Sequence, residues 1–116
     1  MSKASRASPH IELDLHGAFI RRTTLRGASL RGANLENVDG DGADFSNANL
    51  QGANLRGAKF NNAIFRGANF SGAILNDTDL RGADLRDAIN LTSKQLAAAK
   101  IDHATKLPQL EAAEAS

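Results

Sequence analysis

From Leu13 to Thr92 the chain places an apolar side chain at nearly every fifth position. Leu15, Ile20, Leu25, Leu30, Leu35, Phe45, Leu50, Leu55, Phe60, Phe65, Phe70, Leu75, Leu80 and Leu85 hold that place in 14 of 16 copies of one five-residue unit, with Gly40 and Asn90 as exceptions. If this central residue is i, then i−2 is Ala in 12 copies, and i+2 is Gly in nine, Asn in three and Asp in two. The residues at i−1 and i+1 carry most of the charge.

A period of five fits neither regular structure. Five residues of helix advance about 500°, so the apolar side chains would smear around the axis. In a straight strand an odd period sends successive Leu residues to opposite faces. Both difficulties vanish if the chain turns a corner once per unit. Within one short extended side, i and i−2 then point inward together, one large and one small. The corner falls near i+2, where Gly, Asn and Asp tolerate unusual backbone angles. Positions i−1 and i+1 are left facing solvent. The pattern predicts a solenoid with a thin apolar axis, its coils stacked by backbone hydrogen bonds.

The clearest copies, Ala-Asn-Leu-Arg-Gly at 53–57 and Ala-Asp-Leu-Arg-Asp at 83–87, resemble the pentapeptide repeat family, and the resemblance extends over Leu13 to Thr92. It implies an all-β solenoid, a right-handed quadrilateral parallel β-helix with four units per coil and hence about four coils. The structural core is then Leu15, Leu35, Leu55, Leu75, Phe45, Phe60, Phe65 and Phe70. Gly40 would stack between Ile20 and Phe60, and Phe60 with Val38 is expected to fill the space that Gly40 leaves, with Val38–Gly42 as a tolerated irregular turn.

The ends of such a coil need covers. Ile11 and Leu13 are expected over the first coil, after a disordered segment 1–10; the β-helix occupies 11–92 and a helical cap with a tail 93–116. Thr92 and Gln95 have capping-box spacing, and Leu91 and Leu96 stand as a hydrophobic staple across them. A short α-helix is expected from Ser93 to about Lys100, with Ile101, Leu107 and Leu110 following across the coil end and Glu111–Ser116 fraying.

Composition narrows the function. The chain has no Cys, Trp or Tyr, so it lacks thiol chemistry and the usual stacking platforms for single-stranded nucleic acid. The repeat carries nine acids and nine bases, a balance of zero. No direct nucleic-acid surface is expected from those totals. No apolar run is long enough for a membrane, and Met1–Pro9 does not read as a secretory signal, so a cytoplasmic location is the expectation.

No catalytic constellation is present, and no cofactor is expected. His10, His16 and His103 lack metal-ligand spacing, Asp14 and His16 have no nucleophile beside them, and the acids around Gly40 do not follow a calcium-loop pattern. Twenty-residue stacking puts Arg26, Arg66 and Arg86 on one side, either as a docking stripe or paired across coils with Asp44 and Asp84. Phe19 is the candidate interface anchor. Ile64, Ile74 and Ile89 also stand at i−1. The reading is a non-enzymatic scaffold or protein-interaction module with an unidentified protein partner, and a homodimer through a coil end is allowed. The resemblance also implies an alternative, a DNA-mimic modulator of DNA gyrase, against which the neutral Arg-rich repeat argues. A secreted effector addressed by Met1–Pro9 is a third.

Overall fold

The computed structural model describes residues 13–109. The segment 1–10, Ile11, Leu110 and the tail Glu111–Ser116 lie outside the described residues.

Each i−1 residue of the first three coils pairs in parallel with the residue twenty positions on: Asp14 with Asn34, Phe19 with Asp39, Thr24 with Asp44, Ser29 with Asn49, and so on to Asn69 with Ile89. Twenty residues are four units, so each coil has four sides. The first side stacks Leu15, Leu35, Leu55 and Leu75; the second Ile20, Gly40, Phe60 and Leu80; the third Leu25, Phe45, Phe65 and Leu85; the fourth Leu30, Leu50, Phe70 and Asn90.

The ladder is regular. The N–H of i donates to the i−1 carbonyl of the next coil, as Leu35 does to Asn54 (2.8 Å), and the N–H of i−1 donates back to the i−2 carbonyl above, as Asn54 does to Ala33 (2.9 Å). Each corner is closed by a bond from the next Ala N–H to the carbonyl of i, as Ala53 to Leu50 at 2.9 Å. The i+2 residue takes a left-handed φ, from 57° at Asn37 to 73° at Gly82, the mark of a type II turn. Arg22 also adopts it, at 57°, a corner that neither Gly nor Asx occupies.

The axis is dry. Leu35, Phe45, Leu50, Phe60, Phe65, Phe70, Leu80 and Leu85 have no exposed surface, and Leu55 and Leu75 have 1%. Phe45 and Phe65 stack one coil apart, with centroids 5.0 Å apart and planes within 4°, while Phe60 meets both edge-on at 5.2 Å. Such aromatic pairs add about 0.5–1.5 kcal/mol each beyond the area they bury. Gly40 keeps the ladder and the corner unbroken, and a Cβ built on it would lie 2.6 Å from Phe60 Cε1. The Phe60 ring therefore fills the gap, as its stacking position predicts.

Leu15 departs from the expected core. It is only half-buried, as are Ile20 and Leu25, because among the described residues nothing stacks on the first coil. Leu13, expected as a cover, is 48% exposed.

The opposite end is closed. Helix α1, Ser93–Ala98, is too short to persist alone. Its Thr92–Gln95 capping box forms, with Gln95 N donating to Thr92 Oγ1 (3.1 Å) and Thr92 N to Gln95 Oε1 (2.8 Å). Gln95 Nε2 also donates to the Phe70 and Ala73 carbonyls, both at 2.9 Å, which ties the cap to the last complete coil. Leu91 and Leu96 are buried as the staple requires.

The helix stops short of Lys100 because that residue joins the ladder against Asp79, donating to the Thr78 carbonyl at 2.8 Å. Lys106 does the same against Asp84. A partial fifth coil results, and its inward residue is Thr105, whose hydroxyl donates to the Leu80 carbonyl (2.9 Å). Ile101 and Leu107, expected across the end, are instead 39% and 47% exposed.

Candidate functional site

The i−1 residues are not plain solvent positions. Asp14, Asn34, Asp44, Asn49, Asn54, Asn69, Asp79 and Asp84 each accept, through Oδ1, the backbone N–H two residues on. The Asx side chain thus caps the corner that follows it. This explains Asp/Asn at i−1, a structural role that the outward assignment misses. Repetition of Asx three residues before each corner residue was the available signal. Ile64, without an amide to offer, lies half-buried between Asp44 and Asp84, and Ile74 lies half-buried beside Asn54.

The third side carries Arg26, Arg66 and Arg86 in one column, with Ser46 between the first two of these arginines. Arg26 Nη1 reaches Asp44 Oδ2 across a coil (3.2 Å), and Arg66 Nη2 reaches Asp87 Oδ2 (2.7 Å). Arg86 grips Asp84 within its own unit through Nε (2.9 Å) and Nη2 (2.7 Å). Three guanidiniums face three carboxylates, and Lys106 adds a fourth cation beside Asp84. The remaining N–H donors of Arg26 and Arg66 have no protein acceptor among the described residues.

On the second side Arg81 holds Asp79 through the same two-pronged grip, and Asn61 Nδ2 adds a bond to Asp79 at 3.1 Å. Around Gly40, Arg21 lies 3.6 Å from both Asp39 and Asp41, and Asp41 Oδ1 accepts from Asn61 N (3.1 Å). Asp39 and Asp41 share Arg21 while Asp44 turns to Arg26, and among the described residues no three His, Cys, Asp or Glu side chains converge. On the first side His16 Nδ1 and Asp14 Oδ1 pair at 2.7 Å in the open; this raises the His16 pKa and lowers that of Asp14. Phe19 stands at the first coil of the second side, 84% exposed. Along the fourth side runs an open groove lined by Ser29, Gln51, Ser71 and the corner glycines 32, 52 and 72.

The bidentate pairs make an acid prediction. Arg81 holds the Asp79 carboxyl near a pKa of about 2, and Arg86 does the same for Asp84. A folded pKa depressed below 3.8 contributes stability that is present above 3.8 and lost as pH falls toward 2. With the guanidiniums half-exposed, solvent screening leaves each pair a small part of that stabilisation. Urea midpoints are expected to hold steady down to about pH 4 and to fall between there and about pH 2. An Asp79→Asn/Asp84→Asn variant is expected to lose most of that slope, and an unchanged slope would remove these pairs as its source.

Parallel rungs at twenty-residue spacing around a filled axis define the molecule as a repeat-protein solenoid. The pentapeptide repeats family matches residues 20–57 and 48–87, as eight copies. The chain belongs to that family. Among solved structures it is similar to Rfr23, a pentapeptide repeat protein from the cyanobacterium Cyanothece 51142, at 27% identity over 86% of this chain and 67% of that one, with a TM-score of 0.78. It is also similar to alr5209, a pentapeptide repeat protein from Nostoc PCC 7120, at 27% identity over 86% of this chain and 78% of that one, with a TM-score of 0.53. No curated protein matches the chain by sequence. Among the described residues, no helix is long and apolar enough to cross a membrane.

Proposed function

We propose that this protein is a non-enzymatic scaffold, a right-handed four-sided coil that presents rigid faces to a protein partner. The observation that carries the reading is the third side. There Arg26, Arg66 and Arg86 are held by carboxylates on a ladder of fixed spacing, and N–H donors of Arg26 and Arg66 remain unspent. Side chains already held in place lose little entropy on binding, so an acceptor-rich protein surface could be engaged cheaply. A net charge is not required, because the guanidinium edges donate directionally. Reading the protein as a DNA mimic asks for a column of unpaired carboxylates. The acids of the second and third sides are instead drawn to Arg21, Arg26, Arg66, Arg81 and Arg86, so the scaffold reading is preferred.

Affinity capture from the native host, with the parent and an Arg26→Ser/Arg66→Ser/Arg86→Ser variant, tests this. A partner retained by the parent and lost by a variant with parental circular dichroism is expected. A partner kept equally by both would move the binding surface off the third side, and none for either would sink the scaffold reading.

A further inference from the structure

Between Ile89, on the fourth side of the last full coil, and Lys100, on the second side of the partial fifth, the chain crosses the first side as helix α1 instead of strand. Rungs between full coils join residues twenty apart, whereas Asp79 and Lys100 are twenty-one apart. At that offset the residue beneath Ile74 is Gln95. It stands where the fifth coil's first i−1 residue belongs, and its side chain takes over that residue's bond. In the full coils the N–H of i−1 donates to the i−2 carbonyl above, as Ile74 does to Ala53 at 2.9 Å. At the next rung Gln95 Nε2 donates to the Ala73 carbonyl at 2.9 Å, and to the Phe70 carbonyl at the same distance. The backbone N–H of Gln95 is turned instead to Thr92 Oγ1.

We infer that Gln95 is a latch, and that α1 is a hinged side of the coil which it holds shut. Both ends of the segment suit a hinge. Asn90 precedes it, exposed and at a left-handed φ of 60°, and Ala99 closes it in an extended conformation, φ −93° and ψ 170°. Outside these two points the chain is fixed on rungs: Ile89 with Asn69, Lys100 with Asp79 and Lys106 with Asp84. Between them α1 has six residues, of which Leu96 is buried. The first side reaches it through the Asp77 N–H, which donates to the Ala98 carbonyl at 2.9 Å.

Leu91 and Leu96 bury apolar surface but fix no direction. A planar amide bonded to two carbonyls sets both the height and the rotation of the helix. Thr92 completes the arrangement, because its N–H donates to Gln95 Oε1 and so leaves Nε2 aimed at the coil. When the amide lets go, residues 91–98 swing out on their hinges. Asp77 then loses its acceptor, and the carbonyl of Ala73 meets water. The second and third sides keep their rungs. A short segment with few buried contacts belongs at the low end of a protein's opening free energies, so this motion does not require the solenoid to unfold.

Amide hydrogen exchange of the full chain, read residue by residue, tests the latch. Gln95→Glu keeps the acceptor that a capping box uses but has no amide to donate. It is expected to speed exchange at the Asp77 N–H by at least about tenfold, and Gln95→Ala by no less. Leu80 and Leu85 donate to the Lys100 and Lys106 carbonyls at 2.8 and 2.7 Å, and their exchange is expected to stay within about twofold of the parent. Leu55, in the third coil, gauges the fold as a whole. Lys94→Ala, one residue away in the same helix, is expected to leave Asp77 at the parental rate. Parental exchange at Asp77 in Gln95→Glu would overturn the inference. So would an equal rise at Leu80 and Leu85, which means an end that frays as a block without a hinge, or an effect of Lys94→Ala as large as that of Gln95→Glu.

Discussion

Replacing Leu55 with Asp is expected to abolish the fold, while replacing its neighbour Arg56 with Asp leaves stability within about 0.5 kcal/mol of the parent. Leu55 sits in the third coil with 1% of its surface exposed, between Leu35 above and Leu75 below. Its carbonyl accepts the buried Thr78 hydroxyl at 2.7 Å, and its N–H donates to Ile74 at 2.9 Å. Its surroundings on the axis are hydrocarbon. A carboxyl there loses the Leu packing, worth about 2–5 kcal/mol, and must be desolvated without a partner. Together these reach at least about 5 kcal/mol, the size of the whole stability of many small domains. A middle coil also has two interfaces to lose, and in a solenoid each coil is held by its neighbours.

Arg56 points outward one residue later. Its backbone N–H is capped by Asn54 Oδ1 at 3.1 Å, and its guanidinium has no carboxylate partner among the described residues, so reversing the charge disturbs nothing structural. Circular dichroism and urea unfolding of both variants read the difference. If both melt with the parent, the inward and outward assignment of the repeat is wrong.

That alternation is legible in the sequence, because period five leaves few geometries open. A corner per unit forces i and i−2 inward, and Leu35 through Leu85 obey. Asn90 also behaves as a break should: it is exposed, takes a left-handed φ of 60°, and marks where the coil passes into its cap. The capping box at Thr92 was readable because its spacing is local.

What escaped was set by interactions that a period does not encode. Asp79 is 9% exposed at a position read as outward, because Arg81 and Asn61 close over it. Leu15 shares the repeat's inward register with Leu55 yet stays half-buried, since burial on a stack depends on having a coil on each side. Thr105, not Ile101 or Leu107, turns inward after α1. Its hydroxyl satisfies a carbonyl left open by the last full coil, a need visible only once the ladder is drawn. On the candidate site, the sequence aligned Arg26, Arg66 and Arg86 in one column. Their partners came from three different offsets, Asp44 and Asp87 across coils and Asp84 nearby, because a long guanidinium chooses among carboxylates by reach.

Gly40 and Phe60 carry the second large effect. A Cβ on Gly40 would fall 2.6 and 2.8 Å from Phe60 Cε1 and Cδ1, and the ring cannot swing aside because Phe45 and Phe65 each meet it at 5.2 Å. Gly40 does not need its glycine for backbone reasons, since its φ is outside the left-handed region. Gly40→Leu is therefore expected to cost about 3 kcal/mol through overpacking alone. Phe60→Ala is expected to cost about 3–5 kcal/mol, since it removes the ring that fills two layers of the second side. Independent sites would add these losses. Here the double variant moves apolar volume one coil up the same column, so the leucine introduced at position 40 enters the space the ring has left. A double variant less damaged than the sum by at least about 2 kcal/mol is expected from urea unfolding of the four proteins. Additive losses would mean that the ring does not occupy the gap over Gly40, and the account of how this repeat tolerates its missing Leu would fail.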